Sequence, residues 1–324
     1  MPTIHEPKLR LPTRPRIIFM GTPAFSVPAL QALIEADYPV VAVVTQPDRP
    51  KGRGRKLAPP PVKELAFRYD LEVLQPEKAS SEPFCELIRQ KSPDLLVVVA
   101  FGQILKKSLL DIPTWGALNI HASLLPKYRG AAPIQWAILN RESRTGLTAM
   151  KMDEGLDTGP IIYQEEVPIE PNESAGHLHD RLSLLAGPFL MKTLKRMAQG
   201  EVSLQRQDDS SASYAPKIDK GMSRINWNAP AADIAAKIRA FDPWPGAYSH
   251  IKERQTKIFS AMALEQHDLA QAPGTVTSMD TNGLIVQAKE GSVKIGEMQL
   301  PGKRRLPVHE LVKGFAITIG DRFE

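Results

Sequence analysis

The amino-acid sequence predicts an α/β protein, in which a doubly wound parallel sheet is followed by a small β-barrel domain. The first half alternates fully apolar, β-branched runs with amphipathic helical stretches, a pattern typical of parallel sheets that are buried on both faces. The last third carries short strand-like runs separated by turn signals, which is typical of small antiparallel barrels. With 324 residues, of which 42% are hydrophobic, the chain is long enough for two domains with separate cores.

The composition excludes several classes of protein. Cys85 is the single cysteine, so a disulfide framework and a cysteine-based zinc site are excluded, and we expect a buried hydrophobe in a reducing cytoplasm. The longest apolar run, Leu95 to Phe101, is far too short to cross a bilayer, so we predict a soluble cytoplasmic protein. Residues 1–15 are basic and rich in proline and lack the apolar core of a secretory signal, so we expect a flexible leader.

The predicted elements of the first domain alternate between strands and helices. Apolar β-type runs predict the strands, and spaced apolar residues predict the helices between them. The strands are 17–20, 40–45, 71–74, 95–100, 118–121 and 147–152, and the helices are 25–34, 62–69, 82–90, 132–140 and 173–198, the last one capped by Asn172. The turn at Gly21-Thr22-Pro23 matches neither G-x-G-x-x-G nor the P-loop pattern, which excludes a dinucleotide or ATP site there.

Short strands with turn signals predict the second domain. They are 247–251, 257–261, 274–278, 284–288 and 293–299, with turns at Asn282-Gly283 and Glu290-Gly291 and a final helix at 308–313. We place the first domain at 16–205 and the second domain at 221–324. The residues between them, 206–220, are predicted to be a linker, because Asp and Ser cluster there.

A pair of polar side chains on one predicted strand is the first candidate for a functional site. Asn119 and His121 lie two residues apart on the strand 118–121, so both side chains point to the same face. The histidine can move a proton near neutral pH, and the amide can donate a hydrogen bond to an oxygen that gains negative charge. The pair therefore suits carbonyl chemistry, although an Asn-x-His on a strand is by itself more often a satisfied core pair. The apolar corner that follows, Ser123 to Pro126, could form the wall of a ligand pocket.

A basic segment interrupts the first domain after its second strand. Residues 48–63 carry six basic residues and one acidic residue, a net charge of +5 that equals the formal charge of the whole chain. Glycines and prolines are expected to keep the segment out of helix and sheet, and a flexible arginine-rich arm suits a polyphosphate backbone. A solvated loop is the alternative. The segment follows a strand end, where sheets of this class place their sites, so we favour nucleic-acid contact.

Two motifs together resemble those of the folate-dependent formyltransferase family. They are NIHASLLPKYRGAAPI, from Asn119 to Ile134, and DEGLDTG, from Asp153 to Gly159, within a resemblance that spans about Arg16 to Lys313. The resemblance implies a Rossmann-like first domain and transfer of the formyl group of 10-formyltetrahydrofolate. It implies a catalytic triad of Asn119, His121 and Asp157. It also implies a folate pocket formed by Phe101, Gly102, Ile104, Ser123, Leu124, Leu125 and Pro126.

The basic segment resembles, nearly residue for residue, the DRPxGRG insert of the family members that act on methionyl-tRNA. This resemblance implies that the arm contacts the acceptor end of initiator tRNA, and the implied contact residues are Arg49, Lys51, Arg53, Arg55 and Lys56. It identifies the second domain as an oligonucleotide-binding-type barrel. There, Lys303 and Arg304 are expected to make a second phosphate contact, with a solvated turn as the alternative. We expect a monomer that requires no metal.

The expected activity is formyl transfer to the α-amino group of methionine on initiator tRNA, as needed for translation initiation. In this scheme Asn119 and an N–H of His121 stabilise the oxyanion, and Asp157 sets the tautomer of His121. Two alternatives remain open. A formyltransferase acting on a sugar nucleotide or on glycinamide ribonucleotide would keep the triad but has no use for the basic arm. An RNA-binding protein without activity would use the arm and the barrel, and the presence of Asp157 argues against it.

Overall fold

The computed structural model of the chain describes residues 10–51, 56–265 and 271–324. These residues form two compact units whose segments alternate along the chain. The first unit comprises the described residues of 1–130, 145–167 and 179–215, and the second unit comprises those of 131–144, 168–178 and 216–324. The predicted limits of the leader, the two domains and the linker stay a prediction.

The helices begin where the sequence supplies residues suited to a first turn. They are α1 (Val27–Glu35), α2 (Pro61–Arg68), α3 (Glu82–Gln90), α4 (Lys107–Leu110), α5 (Pro133–Leu139), α6 (Ala175–Gln199), α7 (Ala231–Ala240) and α8 (Val308–Leu311). Prolines occupy the first turn of α1, α2, α3 and α5, where the N–H that proline lacks has no partner within the helix. Among the described residues, no helix has both the length and the apolar character needed to cross a membrane.

The first unit is built on a mixed sheet. The strands up to residue 215 are β1 (Ile17–Gly21), β2 (Val40–Val44), β3 (Arg49–Lys51), β4 (Lys56–Ala58), β5 (Val73–Leu74), β6 (Leu95–Val99), β7 (Ala117–His121), β8 (Arg129–Gly130), β9 (Arg144–Lys151), β10 (Ile161–Pro168) and β11 (Tyr214–Ala215). The main sheet has the order β10-β9-β7-β6-β1-β2-β5. Strands β3 and β4 form a separate hairpin, and β8 pairs with β11.

The topology of the main sheet creates a switch point beside β1. Strand β1 pairs in parallel with β2 on one side and with β6 on the other, and β7 continues the parallel arrangement next to β6. Ligands of such sheets bind outside the carboxyl ends of the strands at the place where the strand order reverses. The carboxyl ends of β1, β6 and β7 therefore mark the expected location of a site.

Two outer strands make the sheet mixed. Strand β9 runs antiparallel to β7, with His121 opposite Thr148. Strand β10, at the sheet edge, is absent from the predicted elements. Its apolar pattern is interrupted by Gln164, Glu165 and Glu166, and polar residues of this kind are typical of a strand with one unpaired edge.

Both faces of the parallel part of the sheet are buried. On one face Met20 belongs to the same core cluster as Cys85 and Ile88 of α3. Cys85 is thus the buried hydrophobe that the sequence predicts. The other face carries Phe19 and Val97, which have no exposed surface. Burial on both faces explains why these strands read as continuous apolar runs rather than as alternating ones.

The start of α6 differs from the prediction. The helix begins at Ala175, and Ser174 acts as its cap, because the Ser174 hydroxyl accepts a hydrogen bond from the His177 N–H at 3.3 Å. Asn172 has a φ of 63° and lies in a turn that the Glu173 N–H closes on the Glu170 carbonyl. The prediction that Asn172 caps the helix is therefore wrong, since the turn places it too early in the chain.

The second unit contains an antiparallel sheet covered by α7. Its strands are β12 (Tyr248–Ile251), β13 (Arg254–Leu264), β14 (Val276–Asp280), β15 (Gly283–Gln287), β16 (Ser292–Gln299) and β17 (Leu306–Pro307), in the order β12-β13-β16-β15-β14 with β17 beside β16. Helix α7 packs against β13 and β16 with Ile234 and Ile238 buried. The predicted fold class is confirmed as a Rossmann-like sheet domain followed by an antiparallel sheet domain, and the oligonucleotide-binding-type barrel stays a prediction. Helix α7 is a further element that the sequence analysis does not predict.

A charged cluster ties the antiparallel sheet to the end of α7. Arg305 donates to both carboxylate oxygens of Asp242, at 2.8 and 3.1 Å, and its guanidinium lies 4.1 Å from the centre of the Phe259 ring. It also forms an ion pair with Glu297 at 2.5 Å. Burial alone raises the pKa of Glu297. Hydrogen bonds from Ser260 and Arg305, together with the charge of Arg305, outweigh burial and leave the pKa below its usual value.

This cluster predicts a pH-dependent contribution of Glu297 to stability. The pKa of Glu297 is lowered in the folded protein, so the ionised carboxylate stabilises the fold above the usual glutamate range. That contribution is lost as the pH falls through the folded value. We expect Glu297→Gln to reduce the free energy of unfolding at pH 7 by about 1 kcal/mol, the upper end for a partly exposed pair. The difference from the wild type should shrink as the pH falls below about 4.5.

Urea unfolding followed by circular dichroism at pH 7 and at pH 4 measures this difference. Glu253→Gln removes an exposed carboxylate elsewhere in the second unit and serves as the control. A difference between Glu297→Gln and the wild type that does not change between the two pH values would contradict the prediction.

Candidate active site

Strand β7 brings two polar side chains to one face, as the strand period predicts. Asn119 and His121 are 8% and 7% exposed, so both functional groups are largely removed from bulk water. Both point toward a loop that follows β9. This loop carries Asp157, the third residue of the predicted triad.

The loop that carries Asp157 is fixed by local contacts. The Asp153 carboxylate accepts hydrogen bonds from the Gly155 N–H at 3.1 Å and from the Thr158 hydroxyl at 2.7 Å. Gly159 approaches the Lys151 carbonyl so closely that a Cβ at this position would collide with it. Asp157 itself has a φ of 55°, a left-handed conformation that asparagine and aspartate tolerate better than most residues. The sequence DEGLDTG thus folds into a tight loop around one carboxylate.

The Asp157 carboxylate contacts three groups of the first unit, two on β7 and one on β8. Its Oδ1 lies 3.5 Å from the Asn119 side-chain nitrogen, and its Oδ2 lies 3.6 Å from Nδ1 of His121. Oδ2 also accepts a hydrogen bond of 2.8 Å from the Gly130 N–H. The structure therefore brings Asn119, His121 and Asp157 together, with the carboxylate between the amide and the imidazole.

The second nitrogen of His121 is held by the main chain. Nε2 lies 2.9 Å from the carbonyl oxygen of Tyr128. A carbonyl oxygen only accepts, so Nε2 carries a proton and Nδ1 is the nitrogen that faces Asp157. In the predicted scheme Asp157 alone sets the tautomer, whereas in the structure the Tyr128 carbonyl holds the proton on Nε2. No side-chain pattern signals a contact that the backbone makes.

The turn from Ser123 to Gly130 positions that carbonyl. The Ser123 hydroxyl, which has no exposed surface, donates to the Lys127 carbonyl at 2.7 Å. The Thr148 hydroxyl donates to the Ser123 carbonyl at 2.6 Å and accepts from the Leu125 N–H at 3.1 Å. The bonds of Thr148 tie the turn to β9. The Ser123 hydroxyl donates its proton to a carbonyl of the protein itself.

The predicted folate residues occupy two different environments. Ser123, Leu125 and Phe101 are buried, Leu124 and Pro126 are half-buried, and Gly102 and Ile104 are exposed. Ile104 is 82% exposed, which leaves a large apolar side chain in contact with water beside the carboxyl end of β6. The buried residues can only shape the site, whereas the exposed ones have surface that a ligand can contact.

A cavity of about 490 Å³ lies at the carboxyl ends of β1, β2 and β6, next to the switch point of the sheet. Thr22, Gln46 and Phe101 line it, and a run of prolines from residue 59 to residue 61 forms one wall. The Thr22 hydroxyl donates to the Phe101 carbonyl at 2.9 Å and so fixes the rim. Arg49 of the basic segment also lines the cavity.

The basic segment differs from its prediction at both ends. Strands β3 and β4 pair as an antiparallel hairpin, with Pro50 opposite Leu57, and the end of the segment lies in α2. The prediction that the whole segment stays out of helix and sheet is therefore wrong. A proline fits a two-stranded hairpin because one edge of each strand needs no N–H for pairing. Arg49 is exposed.

Of the four other contact residues predicted in the segment, two lie within the described residues. Lys51 and Lys56 lie on the strands β3 and β4, whereas Arg53 and Arg55 lie outside the described residues. In the second unit, Lys303 and Arg304 are exposed in the turn between β16 and β17. The neighbouring Arg305 differs from them, because its guanidinium is occupied by the carboxylates of the second unit.

Lys63 is the last residue of the basic segment and forms hydrogen bonds with other residues of the first unit. Its ammonium group lies 2.9 Å from both carboxylate oxygens of Asp48 and 2.7 Å from the side-chain oxygen of Gln75. The Gln75 amide also donates to Asp48 at 2.9 Å. The hydrogen bonds from Lys63 and Gln75 keep the pKa of Asp48 below its usual value. The root of the segment is thus anchored by a charged network.

The described residues, 10–51, 56–265 and 271–324, contain no group of three or more His, Cys, Asp and Glu side chains that could hold a metal ion.

Family models match both parts of the chain. The model described as formyl transferase matches residues 15–194, and the model described as the C-terminal domain of formyl transferase matches residues 217–316. Solved structures show the same fold at low identity. HypX from Aquifex aeolicus, in complex with tetrahydrofolic acid, has a TM-score of 0.64 at 18% identity over 94% of this chain and 48% of that chain. WlaRD, a sugar 3N-formyltransferase, has a TM-score of 0.65 at 21% identity over 90% of this chain and 99% of that chain.

Three relatives of much higher identity share the same name. Methionyl-tRNA formyltransferase of Geobacter sulfurreducens is 48% identical over 95% of this chain and 96% of its own length. The protein of that name from Pelobacter propionicus is 49% identical over 94% of both chains, and the one from Clostridium novyi is 45% identical over 94% of this chain and 98% of its own. Identity at this level over nearly the full length shows that the chain belongs to the methionyl-tRNA formyltransferase family.

Proposed function

We propose that the protein transfers the formyl group of 10-formyltetrahydrofolate to the α-amino group of methionine on initiator tRNA. The observation that carries this proposal is the position of the Asp157 carboxylate, 3.5 Å from the Asn119 amide and 3.6 Å from the His121 imidazole. The three groups have the properties that transfer of an acyl carbon to an amine requires, namely a hydrogen-bond donor, a proton carrier and a fixed charge.

The residues beside the site fit a folate. The benzoyl group of a folate is flat and has apolar faces, and Ile104 offers an exposed apolar side chain at the end of β6. Gly102, with a φ of 89°, lets the backbone turn sharply there. When bound, 10-formyltetrahydrofolate supplies an activated formyl carbon that an amine can attack. Ile104, Gly102 and Phe101 would bind it, together with the half-buried Leu124 and Pro126.

Asn119 would stabilise the oxygen that gains negative charge. One N–H of its side-chain amide points toward Asp157, and the same nitrogen carries a second N–H. The side chain is 8% exposed, and a hydrogen bond is electrostatically stronger in such surroundings than in water. A fixed amide of this kind needs little reorganisation when the charge develops.

His121 would carry the proton through its Nδ1 atom. Nε2–H is already donated to the Tyr128 carbonyl, so Nδ1 is the nitrogen that can take up a proton from the attacking amine and deliver it to the leaving nitrogen. The Asp157 carboxylate, 3.6 Å away, stabilises the positive charge that the ring gains. The Gly130 N–H keeps that carboxylate in place.

The basic segment supports a tRNA as acceptor. Arg49 is exposed beside the cavity at the switch point, and the root of the segment is anchored by Lys63 and Asp48. An anchored root with outward positive charge suits a phosphate backbone that has to present one amino group to a nearby site. The sugar N-formyltransferases share the fold at about 20% identity, which says nothing of the acceptor of this chain.

A transfer assay tests the proposed function. Purified protein should formylate methionyl initiator tRNA in the presence of 10-formyltetrahydrofolate, and it should act far more slowly on methionyl elongator tRNA and on an amino-sugar nucleotide. Mild alkaline hydrolysis of the ester releases the amino acid from the tRNA, and chromatography separates N-formylmethionine from methionine. Formylation of the amino-sugar nucleotide with none of either tRNA would overturn the assignment of the acceptor.

Asp157→Asn should reduce turnover without unfolding the protein. The substitution keeps the size of the side chain and an oxygen for the Gly130 N–H, but it removes the charge that faces His121. We expect kcat to fall by about 100-fold or more, with both KM values changed little. Asp70→Asn makes the same substitution at an exposed position of the first unit, away from the imidazole, and is the control. Unchanged turnover in Asp157→Asn would contradict the assigned role.

Arg49→Ala should weaken tRNA binding in a manner that depends on salt. If the Arg49 guanidinium neutralises one phosphate, the slope of log Kd against log salt should become shallower by about one unit. Arg68→Ala removes the same charge from an exposed position outside the segment and should leave the slope unchanged. Fluorescence titration of labelled tRNA at several salt concentrations gives both slopes. Equal slopes for the wild type and Arg49→Ala would refute the phosphate contact.

A further inference from the structure

Gln207 lies outside the predicted triad but contacts the loop that carries its aspartate. The side chain is 6% exposed, and its amide nitrogen donates to two carbonyl oxygens, those of Asp157 at 2.8 Å and Gly159 at 2.7 Å. These carbonyls lie at the catalytic aspartate and two residues after it. One amide group therefore holds the main chain of the loop at two points.

Arg129 fixes the orientation of that amide. Its Nε and Nη2 atoms donate to the Gln207 side-chain oxygen at 3.1 and 2.9 Å. An oxygen that accepts two N–H groups cannot exchange places with the amide nitrogen, so the nitrogen must face the two carbonyls. The guanidinium is itself buried, with 2% exposure, and also forms an ion pair of 2.8 Å with Asp209.

The same part of the chain also reaches the carboxylate of Asp157. Gly130 follows Arg129 directly, and its N–H donates to Oδ2 of Asp157 at 2.8 Å. The backbone of Asp157 is thus held through Gln207, while its side chain is held through Gly130. Asp157 has a φ of 55°, and a residue in this region keeps its conformation only when its surroundings hold it.

The segment around Gln207 also supports the histidine. Strand β11 pairs with β8, and the Ser213 hydroxyl accepts a hydrogen bond of 3.0 Å from the Tyr128 N–H. The carbonyl of Tyr128 is the group that binds Nε2 of His121. Residues 207–215 therefore contact the supports of both Asp157 and His121, although the sequence predicts only a linker there.

We propose that Gln207 is a positioning residue of the transfer reaction, which holds Asp157 at the distance from Asn119 and His121 that the reaction needs, with Arg129 fixing the direction of its amide. This inference rests on the proposed formyl transfer and deepens it by assigning the placement of Asp157 to a buried residue that binds the main chain of its loop.

The variant Gln207→Glu distinguishes a positioning role of Gln207 from a role in packing alone. Glutamate has nearly the same shape and can pair with Arg129, but its ionised carboxylate has no N–H to donate to the carbonyls of Asp157 and Gly159. We expect kcat for formylation of methionyl initiator tRNA to fall by about 10-fold to 100-fold, while both KM values stay within about 3-fold of the wild type. Gln205→Glu adds the same charge at an exposed position two residues away and should behave as the wild type.

A double-mutant cycle with Asp157→Asn gives the decisive measurement. If Gln207 acts through the charge of Asp157, Gln207→Glu should lower the single-turnover rate of the wild type but should have little further effect on Asp157→Asn. The proposal would be overturned if Gln207→Glu lowered the rate of Asp157→Asn by the same factor as it lowers the rate of the wild type. A wild-type kcat in Gln207→Glu, or a change in its KM alone, would also overturn it.

Melting temperatures of all variants report on folding in the same preparations. If Gln207→Glu does not fold, Gln207→Met provides a second side chain of similar length without N–H donors. The wild-type rate on methionyl initiator tRNA tests the proposed function separately. An active wild type with an unaffected Gln207→Glu would overturn only the positioning role, whereas an inactive wild type would overturn the proposed function.

Discussion

The Asp157 carboxylate is the group on which the geometry of the site depends. Its two oxygens face an amide on β7, an imidazole on the same strand and the N–H of Gly130. These partners lie 27 to 38 positions away along the chain. The parallel sheet sets the position of the strand residues, and the loop at residues 153–159 must bring the carboxylate to them. The tight contacts of this loop, among them the close approach of Gly159 to the Lys151 carbonyl, serve this one placement.

Positive charge has two different uses in this protein. Lys63 and Arg305 form ion pairs with carboxylates of the protein itself. Lys63 anchors the root of the basic segment, and Arg305 ties the antiparallel sheet to the end of α7. Arg49 and Arg304 point outward and are available to an anionic partner. A count of basic residues treats these side chains alike, but only the exposed ones can neutralise phosphates. In the segment 48–63 the pair of Lys63 and Asp48 is neutral, so the five other basic residues account for its net charge of +5.

The sequence predicts the main elements well where one physical signal dominates. The apolar runs of β1, β2 and β6 could be predicted because burial on both faces leaves few polar residues, and the two-residue spacing of Asn119 and His121 follows from the strand period. Strand β10 could not be found in the same way, since its edge position permits Gln164 and two glutamates. The roles of Tyr128 and Gln207 could not be read from the sequence either. A backbone carbonyl has no residue signature, and a glutamine bonded to distant carbonyls looks like any polar residue of a loop.

Much of the site is built from main-chain atoms, and this has a consequence for how such proteins diverge. The carbonyl of Tyr128 performs its task whatever side chain is attached, provided that the backbone keeps its path, whereas Gly130 and Gly159 also have no room for a Cβ. Alanine scanning is nearly blind to the Tyr128 carbonyl, because Tyr128→Ala leaves this group in place. Insertions and deletions in the turn or in the loop would displace the main-chain groups at once. Chain length between β7 and β8 and within residues 153–159 is therefore expected to vary little among relatives.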